Sequence, residues 1–230
     1  MSHHMLYCTN GAIWNITNMN RAAALGPPPL FAGRAPRMIQ LREGQDLSIS
    51  PTGDLYWVLS GVVQNSVIAE DGRRWIEGFH LPGEFFWADQ ASVRSQTAEA
   101  LCATSILITA SSVLEALTSS CDSAVESVWS WCARTHVASL RRGFLLARST
   151  AVEKLSYFLM DLVHRLGGRR EICLLMSRAE IGDHLGLTSE TVTRTFTLLQ
   201  NENLLRVNGK DVTILDSNGL ALNAQAIFST

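Results

Sequence analysis

The stretch MSRAEIGDHLGLTSETVTRTFTLLQNENLLRVNGKDVTIL, residues 176–215, decides how the C-terminal part of this chain folds. Ser177 is followed three residues later by Glu180, the spacing of a capping box, in which each side chain satisfies a backbone N–H of the other at a helix start. Ile181 and Leu185 give that short helix an apolar face, and Gly186 permits a sharp turn into a second helix. Thr188 caps the second helix, whose buried side runs Val192, Phe196 and Leu199. Two short strands, Leu205–Val207 and Val212–Leu215, flank the turn Asn208-Gly209-Lys210-Asp211 and form a wing. Capping box, glycine turn, apolar periodicity and wing stand in register, and together they predict a winged helix-turn-helix over 177–215.

Such a unit grips DNA, and the residue types suit that task. Ser189, Glu190, Thr193 and Arg194 fall opposite the apolar side, near the N-terminal end of the second helix, where a recognition helix meets the major groove. The Glu190 carboxylate can accept from the N4 amino group of cytosine, Arg194 can pair with a guanine edge or a phosphate, and Thr193 can touch a thymine methyl. Ser177, Arg178, Thr188, Thr191 and Lys210 are candidates for backbone phosphates, which supply affinity rather than sequence choice. The bland alternative makes Glu190 and Arg194 an exposed i,i+4 ion pair worth about 0.2–0.5 kcal/mol.

Charge is distributed accordingly. The net charge of −2 does not advertise a nucleic-acid binder. Residues 1–133, however, hold 7 Lys and Arg against 12 Asp and Glu, whereas 134–211 hold 12 against 8. The basic excess sits in the half that would face phosphate.

Working outward, residues 151–166 make an amphipathic helix with Leu155, Phe158, Leu159, Leu162 and Leu166 on one face, stopped by Gly167-Gly168. Before it, residues 122–147 run without proline and predict a helix of about 37 Å at 1.5 Å per residue. Val125, Val128, Cys132, Leu140 and Leu146 form its stripe, with His136, Ser139 and Gly143 on or beside the same face. A helix this long needs a cover for that stripe. Pairing with its twin in a second subunit provides one, and small residues such as Ser139 and Gly143 allow close approach. The alternative is packing back on its own domain. The expected dimer interface is thus Val125, Val128, Cys132, Ser139, Leu140, Gly143 and Leu146.

From 38 to 110 the character is different. Met38–Leu41, Leu55–Leu59, Val62–Ala69, Arg73–Phe79, Thr97–Leu101 and Ser105–Thr109 read as strands, and Asp71-Gly72 as a two-residue hairpin turn with both residues at positive φ. Several strands at this spacing predict a β-sandwich or roll, followed by a short helix at 111–118. Residues 1–37, with GPPPL at 26–30, read as an extension. The division expected is an extension at 1–37, a sensor-like roll at 38–121, a dimerisation helix at 122–148 and a DNA-binding domain at 149–230. The fold class is α+β.

Several classes are disfavoured. No run of about 18 apolar residues reads as a membrane span, and the N-terminus lacks a secretory pattern, so a cytoplasmic location is the simplest expectation. Cys8, Cys102, Cys121, Cys132 and Cys173 are odd in number and contain no CxxC, which fits neither a disulfide framework nor a zinc site. No nucleophile–base grouping, phosphate-binding glycine loop or metal-spaced His/Glu set points to an enzyme. Cys173, four residues before the capping Ser177, is a candidate redox position: oxidation there would add bulk or charge close to phosphate.

SRAEIGDHLGLTSETVTRTFTLL resembles the helix-turn-helix of the Crp/Fnr superfamily of transcription regulators, and VLSGVVQNSVIAEDGRRWIEGFHLPGEFF resembles that family's β-roll. The resemblance spans about 38–220. It implies a cyclic-nucleotide-binding-like jelly roll, a long dimerisation helix and a winged helix-turn-helix. It also implies a homodimer on palindromic promoter DNA, with RNA polymerase contacted from the protein surface. The glycine and glutamate that close on a cyclic nucleotide in other members are replaced by Trp87 and Ala88, with Trp87 expected to fill the pocket; Arg94-Ser95 only superficially matches their phosphate-binding pair. Leu107 stands at the place of the roll cysteine of iron–sulfur members. Trp87 and Asp89 stand nearest the haem ligands of carbon-monoxide sensors, leaving His80 and His136 as possible haem ligands. The chain therefore resembles the FixK-like branch, with no cofactor expected. The alternative is a haem- or small-ligand-dependent sensor whose roll gates DNA binding. Ser189, with the pattern Glu190-x-x-Thr193-Arg194, implies an Fnr-type palindrome close to TTGAT-N4-ATCAA.

Overall fold

The computed structural model describes residues 37–51, 53–89, 96–119 and 122–225. Cys8, Cys121, Arg94, Ser95 and nearly all of the expected extension lie outside the described residues. The described chain divides into two compact units, one ending at Ser139 and the other beginning at Leu140.

The first unit is built from seven strands: β1 (Arg37–Leu41), β2 (Asp54–Ser60), β3 (Val63–Ile68), β4 (Arg74–His80), β5 (Phe85–Ala88), β6 (Gln96–Ala100) and β7 (Thr104–Ala110). They form a four-stranded sheet in the order β1-β7-β2-β5 and a three-stranded sheet in the order β4-β3-β6, all pairs antiparallel. Alternation along the strands sends Tyr56, Val58, Phe86, Ala88, Ile106 and Ile108 to one face of the larger sheet. There they join Leu41, Leu47, Ile49, Val63, Ala98 and Ala100 in the core. The neighbours Leu55, Trp57, Leu59, Phe85, Trp87 and Leu107 form a second cluster on the other face.

That two-faced sheet corrects two expectations. The sequence reading assigned no strand to Phe85–Ala88, because periodicity cannot tell a four-residue apolar run in a buried strand from a piece of buried helix. Trp87 does not fill the roll either: its indole belongs to the outer cluster, and its neighbours Phe86 and Ala88 face the core. Inside the roll an aromatic stack runs from Tyr56 to Phe86 (centroids 5.0 Å apart) and on to His80 (4.5 Å). The β3–β4 hairpin forms as expected, with Ala69 N–H donating to Arg73 O (2.8 Å), but Gly72 alone takes positive φ, so the turn is not the two-residue left-handed type.

Two helices follow the roll, α1 (Ser111–Thr118) and α2 (Asp122–Arg148). Within the first unit α2 lays Val128 and Trp131 on the outer cluster, the Trp131 ring 5.3 Å from that of Phe85. Val128 was expected in one stripe with Val125 and Cys132. It is turned to the roll with Trp131 instead, and Trp129, about 40° from Val125 around the helix against about 60° the other way for Val128, continues the exposed row. The row left exposed on α2 carries Val125, Trp129, Cys132, His136, Ser139 and Gly143, with Leu140 beside it. Its steps of four and three residues are those of a heptad seam.

The second unit holds α3 (Ala151–Arg165), β8 (Glu171–Cys173), α4 (Arg178–Leu185), α5 (Ser189–Asn201), β9 (Leu205–Asn208), β10 (Asp211–Ile214) and α6 (Ser217–Gln225). The strands form one antiparallel sheet, β8-β10-β9. Leu155, Leu159, Leu162, Ile181, Leu185, Val192, Leu199 and Leu220 are among its fully buried side chains. The start of α3 is fixed by a second capping box, Thr150 with Glu153. Helix α6 was not expected from the sequence. Asp216 Oδ1 accepts from the N–H groups of Asn218 and Gly219 at 3.0 Å each, and the helix buries Leu220 and Ala224.

Candidate nucleic-acid interface

The geometry of α4 and α5 is set by three local devices. At Ser177 the capping box closes in both directions: Ser177 N–H donates to Glu180 Oε2 (2.6 Å) and Glu180 N–H to Ser177 Oγ (3.2 Å). Gly186 ends α4 with φ 63° and ψ 44°, a left-handed conformation that costs other residues about 1–2 kcal/mol. Gly182 lets the turn close over the helix. A Cβ there would lie 2.5 Å from Leu187 O, and Leu187 N–H donates to Gly182 O at 3.0 Å. Thr188 then caps α5, its Oγ1 accepting from Thr191 N–H (3.2 Å) and sharing a hydrogen bond with Thr191 Oγ1 (3.0 Å).

This scaffold gathers the expected base-reading residues on the first turns of α5. Glu190, Thr193 and Arg194 are exposed and Ser189 half-exposed, while Val192, Phe196 and Leu199 are buried behind them. Thr193 Oγ1 donates back to Ser189 O (2.8 Å), which uses its hydroxyl proton and leaves the methyl for apolar contact. Arg194 donates to Thr191 Oγ1 at 3.5 Å; among the described residues it forms no ion pair with Glu190. The Glu190 carboxyl is held below its ordinary pKa by its own backbone N–H, then by Ser189 and Thr188, with Arg194 adding to the effect. It is therefore an ionised acceptor at the positive end of a helix.

The expected phosphate ligands surround this face from different elements. Ser177 and Thr188 sit at the two helix N-termini, each engaged in its cap, and Thr191 is one turn into α5. Arg178 stacks its guanidinium 3.5 Å above the Phe196 ring, and burial lowers its pKa from the usual arginine value. Lys210 is exposed in the tight turn between β9 and β10. Three contributors went unnoticed in the sequence reading. Gly182 is one, legible only once the turn is built. Gln200 is another: its Oε1 accepts from Val207 N–H (3.0 Å) and ties the wing to α5. Arg206 is the third, exposed on β9.

The other candidates are scattered. Val125, Cys132, Ser139, Leu140 and Gly143 are exposed along α2. Leu146 is half-buried and lies within van der Waals reach of a side chain placed at Gly186. Cys173 is buried on β8, in register opposite Asp211. His80 belongs to the aromatic stack of the roll, whereas His136 is exposed on α2. Among the described residues no three His, Cys, Asp or Glu side chains come together as a metal site, and no helix is long and apolar enough to cross a membrane.

Comparison with known proteins decides what carries this interface. Residues 153–222 match the Crp-like helix-turn-helix domain. The nitrogen fixation regulation protein FixK of Rhizobium meliloti (strain 1021) is 35% identical over 187 residues, 79% of this chain and 82% of the relative. The chain belongs to the Crp/Fnr family of transcription regulators, and it is of the FixK-like type. The transcriptional activator protein anr of Pseudomonas aeruginosa is 33% identical over 173 residues, 73% of this chain and 71% of the relative. The solved structure of FixK2 from Bradyrhizobium japonicum superposes with a TM-score of 0.75 at 29% identity, covering 82% of this chain and 97% of that one. The α+β architecture of roll, long helix and C-terminal helix-turn-helix is thus that of Crp/Fnr regulators, which are DNA-binding proteins.

Proposed function

We propose that this Crp/Fnr regulator binds a palindromic promoter site as a homodimer, without cyclic nucleotide, iron–sulfur cluster or catalytic activity of its own. The observation that carries the proposal is the exposed set Glu190, Thr193 and Arg194 on one face of a doubly capped helix pair, backed by a buried apolar face. Glu190, Thr193, Arg194 and Ser189 read base edges in the major groove. Ser177, Arg178, Thr188, Thr191 and Lys210 hold phosphates. Two copies pair through the exposed heptad row of α2, and a palindromic site offers their recognition helices half-sites one DNA turn apart, about 34–36 Å. The protein acts in the cytoplasm, where promoter DNA and RNA polymerase are, and the polymerase is its further partner.

The parts divide as an extension at 1–37, the roll at 38–121, the dimerisation helix at 122–148 and the DNA-binding domain at 149–230. Occupation of the roll interior by the Tyr56–Phe86–His80 stack supports regulation without cyclic nucleotide. Cys173, buried in the wing sheet, is slow to oxidise, and its oxidation lowers operator affinity; equal binding by peroxide-treated wild type and Cys173→Ser removes that role.

Selection of bound sequences from a random DNA pool, using the protein as purified, tests the reading. The expected result is an Fnr-type half-site, TTGAT or close to it, in inverted repeat. A TGTGA-type half-site refutes the assignment of Ser189 and Glu190, a single half-site refutes the dimer, and dependence on added cyclic nucleotide refutes ligand-free binding.

A further inference from the structure

The row on α2 contains a pair of side chains that the DNA-binding reading leaves unused. Cys132 and His136 are four residues apart on one helix, both exposed, on the same face as Trp129. Side chains at i and i+4 lie on one face with Cβ atoms about 5–6 Å apart. A thiolate sulfur binds zinc at about 2.3 Å and an imidazole nitrogen at about 2.0–2.1 Å, so one ion between the two reaches both from that spacing. Helical i,i+4 pairs are an established way of presenting two ligands to a zinc ion. Two ligands are only half of a tetrahedral set, which is consistent with the absence of any three-residue cluster among the described residues of one chain.

We propose that Cys132 and His136 form half of an intersubunit Cys2His2 site for a zinc-type divalent cation, completed by the same two residues of a second copy. The inference rests on the dimer reading above. In a parallel pair of helices the row 125, 129, 132, 136 faces its own copy, so position 132 of one chain meets 132 of the other and 136 meets 136 in the next layer. Helix axes about 8–10 Å apart leave room between those layers for one ion and its four bonds. Thiolate and imidazole donors select zinc or cobalt over magnesium or calcium, and the closed four-ligand set has the character of a structural rather than a catalytic site. The flanking Trp129 and Leu140 are exposed in the single chain, and pairing would shield the ion with them. Binding releases the Cys132 proton to solvent as the thiolate forms, with no change in oxidation state.

The test uses the full chain, stripped with EDTA and titrated with cobalt(II), with oligomeric state measured separately by sedimentation in EDTA. The expected result is saturation at one cobalt per two chains, with thiolate-to-cobalt charge transfer and the ligand-field absorption of a tetrahedral site, both discharged by zinc. Both signals should vanish in Cys132→Ser and in His136→Ala, and persist when His3 and His4 are replaced. Zinc should also slow alkylation of Cys132 in the wild type and not in His136→Ala, a readout independent of the spectrum. A dimer in EDTA that binds no cobalt, one cobalt per chain, or bands that survive Cys132→Ser overturns the site while leaving the dimer intact. A monomer both in EDTA and at saturating cobalt, by the same sedimentation measurement, overturns the dimer reading and the site with it.

Discussion

Replacing Gly182 by alanine asks whether the close turn between α4 and α5 positions the recognition helix. The added Cβ would stand 2.5 Å from Leu187 O and 3.5 Å from Leu187 C and Ser189 N. Carbon–oxygen contacts settle near 3.3 Å or beyond, so the turn must retreat by about 0.8 Å. The obstructing atom is backbone, in a segment held by Gly186 at φ 63° and by the Leu187 N–H to Gly182 O bond, so little of that retreat is free. Overpacking of this kind costs about 1–3 kcal/mol, from which roughly 1 kcal/mol is recovered because alanine outranks glycine in a helix interior. The net loss is at most about 2 kcal/mol. Gly143→Ala is the internal reference: within one chain its added carbon meets nothing within 4 Å and brings the propensity gain, and its effect on the proposed α2 seam is read separately as a change in oligomeric state. Urea unfolding followed by far-UV circular dichroism should show the first midpoint falling and the second rising. Operator binding by fluorescence anisotropy should weaken for Gly182→Ala, because Leu187 immediately precedes the Thr188 cap of α5. Equal midpoints for the two alanine variants, with wild-type operator affinity in Gly182→Ala, would refute the argument.

Four further outcomes follow from the same geometry. Arg194→Ala should cost about 1–3 kcal/mol of specific operator binding and relax base preference at one position of each half-site, read by competition with mutated operators. Lys210→Ala should weaken binding to all sequences alike and reduce the slope of log affinity against log salt by about one unit per wing. Thr150→Ala removes one arm of the α3 capping box and should lower stability by about 1 kcal/mol, with hydrogen exchange rising first at residues 151–153. Burial holds the pKa of Lys154 below its usual 10.5, so the unfolded chain binds that proton more tightly. Stability should therefore rise with pH as the alkaline range approaches 10.5, and Lys154→Met should flatten that rise, as measured by urea midpoints at several pH values.

How far the sequence could be read depended on the kind of signal each residue gives. Ser177, Glu180, Gly186 and Thr188 act within four residues of themselves, and their spacing alone announced the helix pair that the structure contains. The capping box at Thr150 had the same signature and was passed over, as was the Asp216 turn that starts α6, whose small residues carry little apolar rhythm. Long-range packing was less legible. Strand β5 and the direction of Trp87 depend on a sheet apolar on both faces, where alternation loses its meaning. Helix α2 misled for a related reason: it carries two apolar rows, one on the roll through Val128 and Trp131 and one exposed through Val125, Trp129 and Cys132. A single stripe drawn through Val125, Val128 and Cys132 mixes the two jobs. Gly182 could not be distinguished from any helical glycine until the turn over it was seen.

The four-stranded sheet of the roll has a consequence for how the chain finds its register. In most half-buried sheets a slip of one residue turns the apolar set toward water, and that penalty protects the pairing. Here a slip of β2 against β7 would still place an apolar row on each side, since Leu55, Trp57 and Leu59 alternate with Tyr56 and Val58. Hydrophobicity is nearly silent about alignment in these strands. The task falls to irregularities: the shift between Val58 and Ser60, and Gly61, where any side chain would collide with Thr104. Thr104 Oγ1 in turn takes the N–H of Val62 at 3.2 Å, locking the connection between β2 and β3 to the start of β7. The alignment of the roll is kept at one corner, and a misfolded form of this protein would be sought first in a sheet whose strands are all present but out of step at that corner.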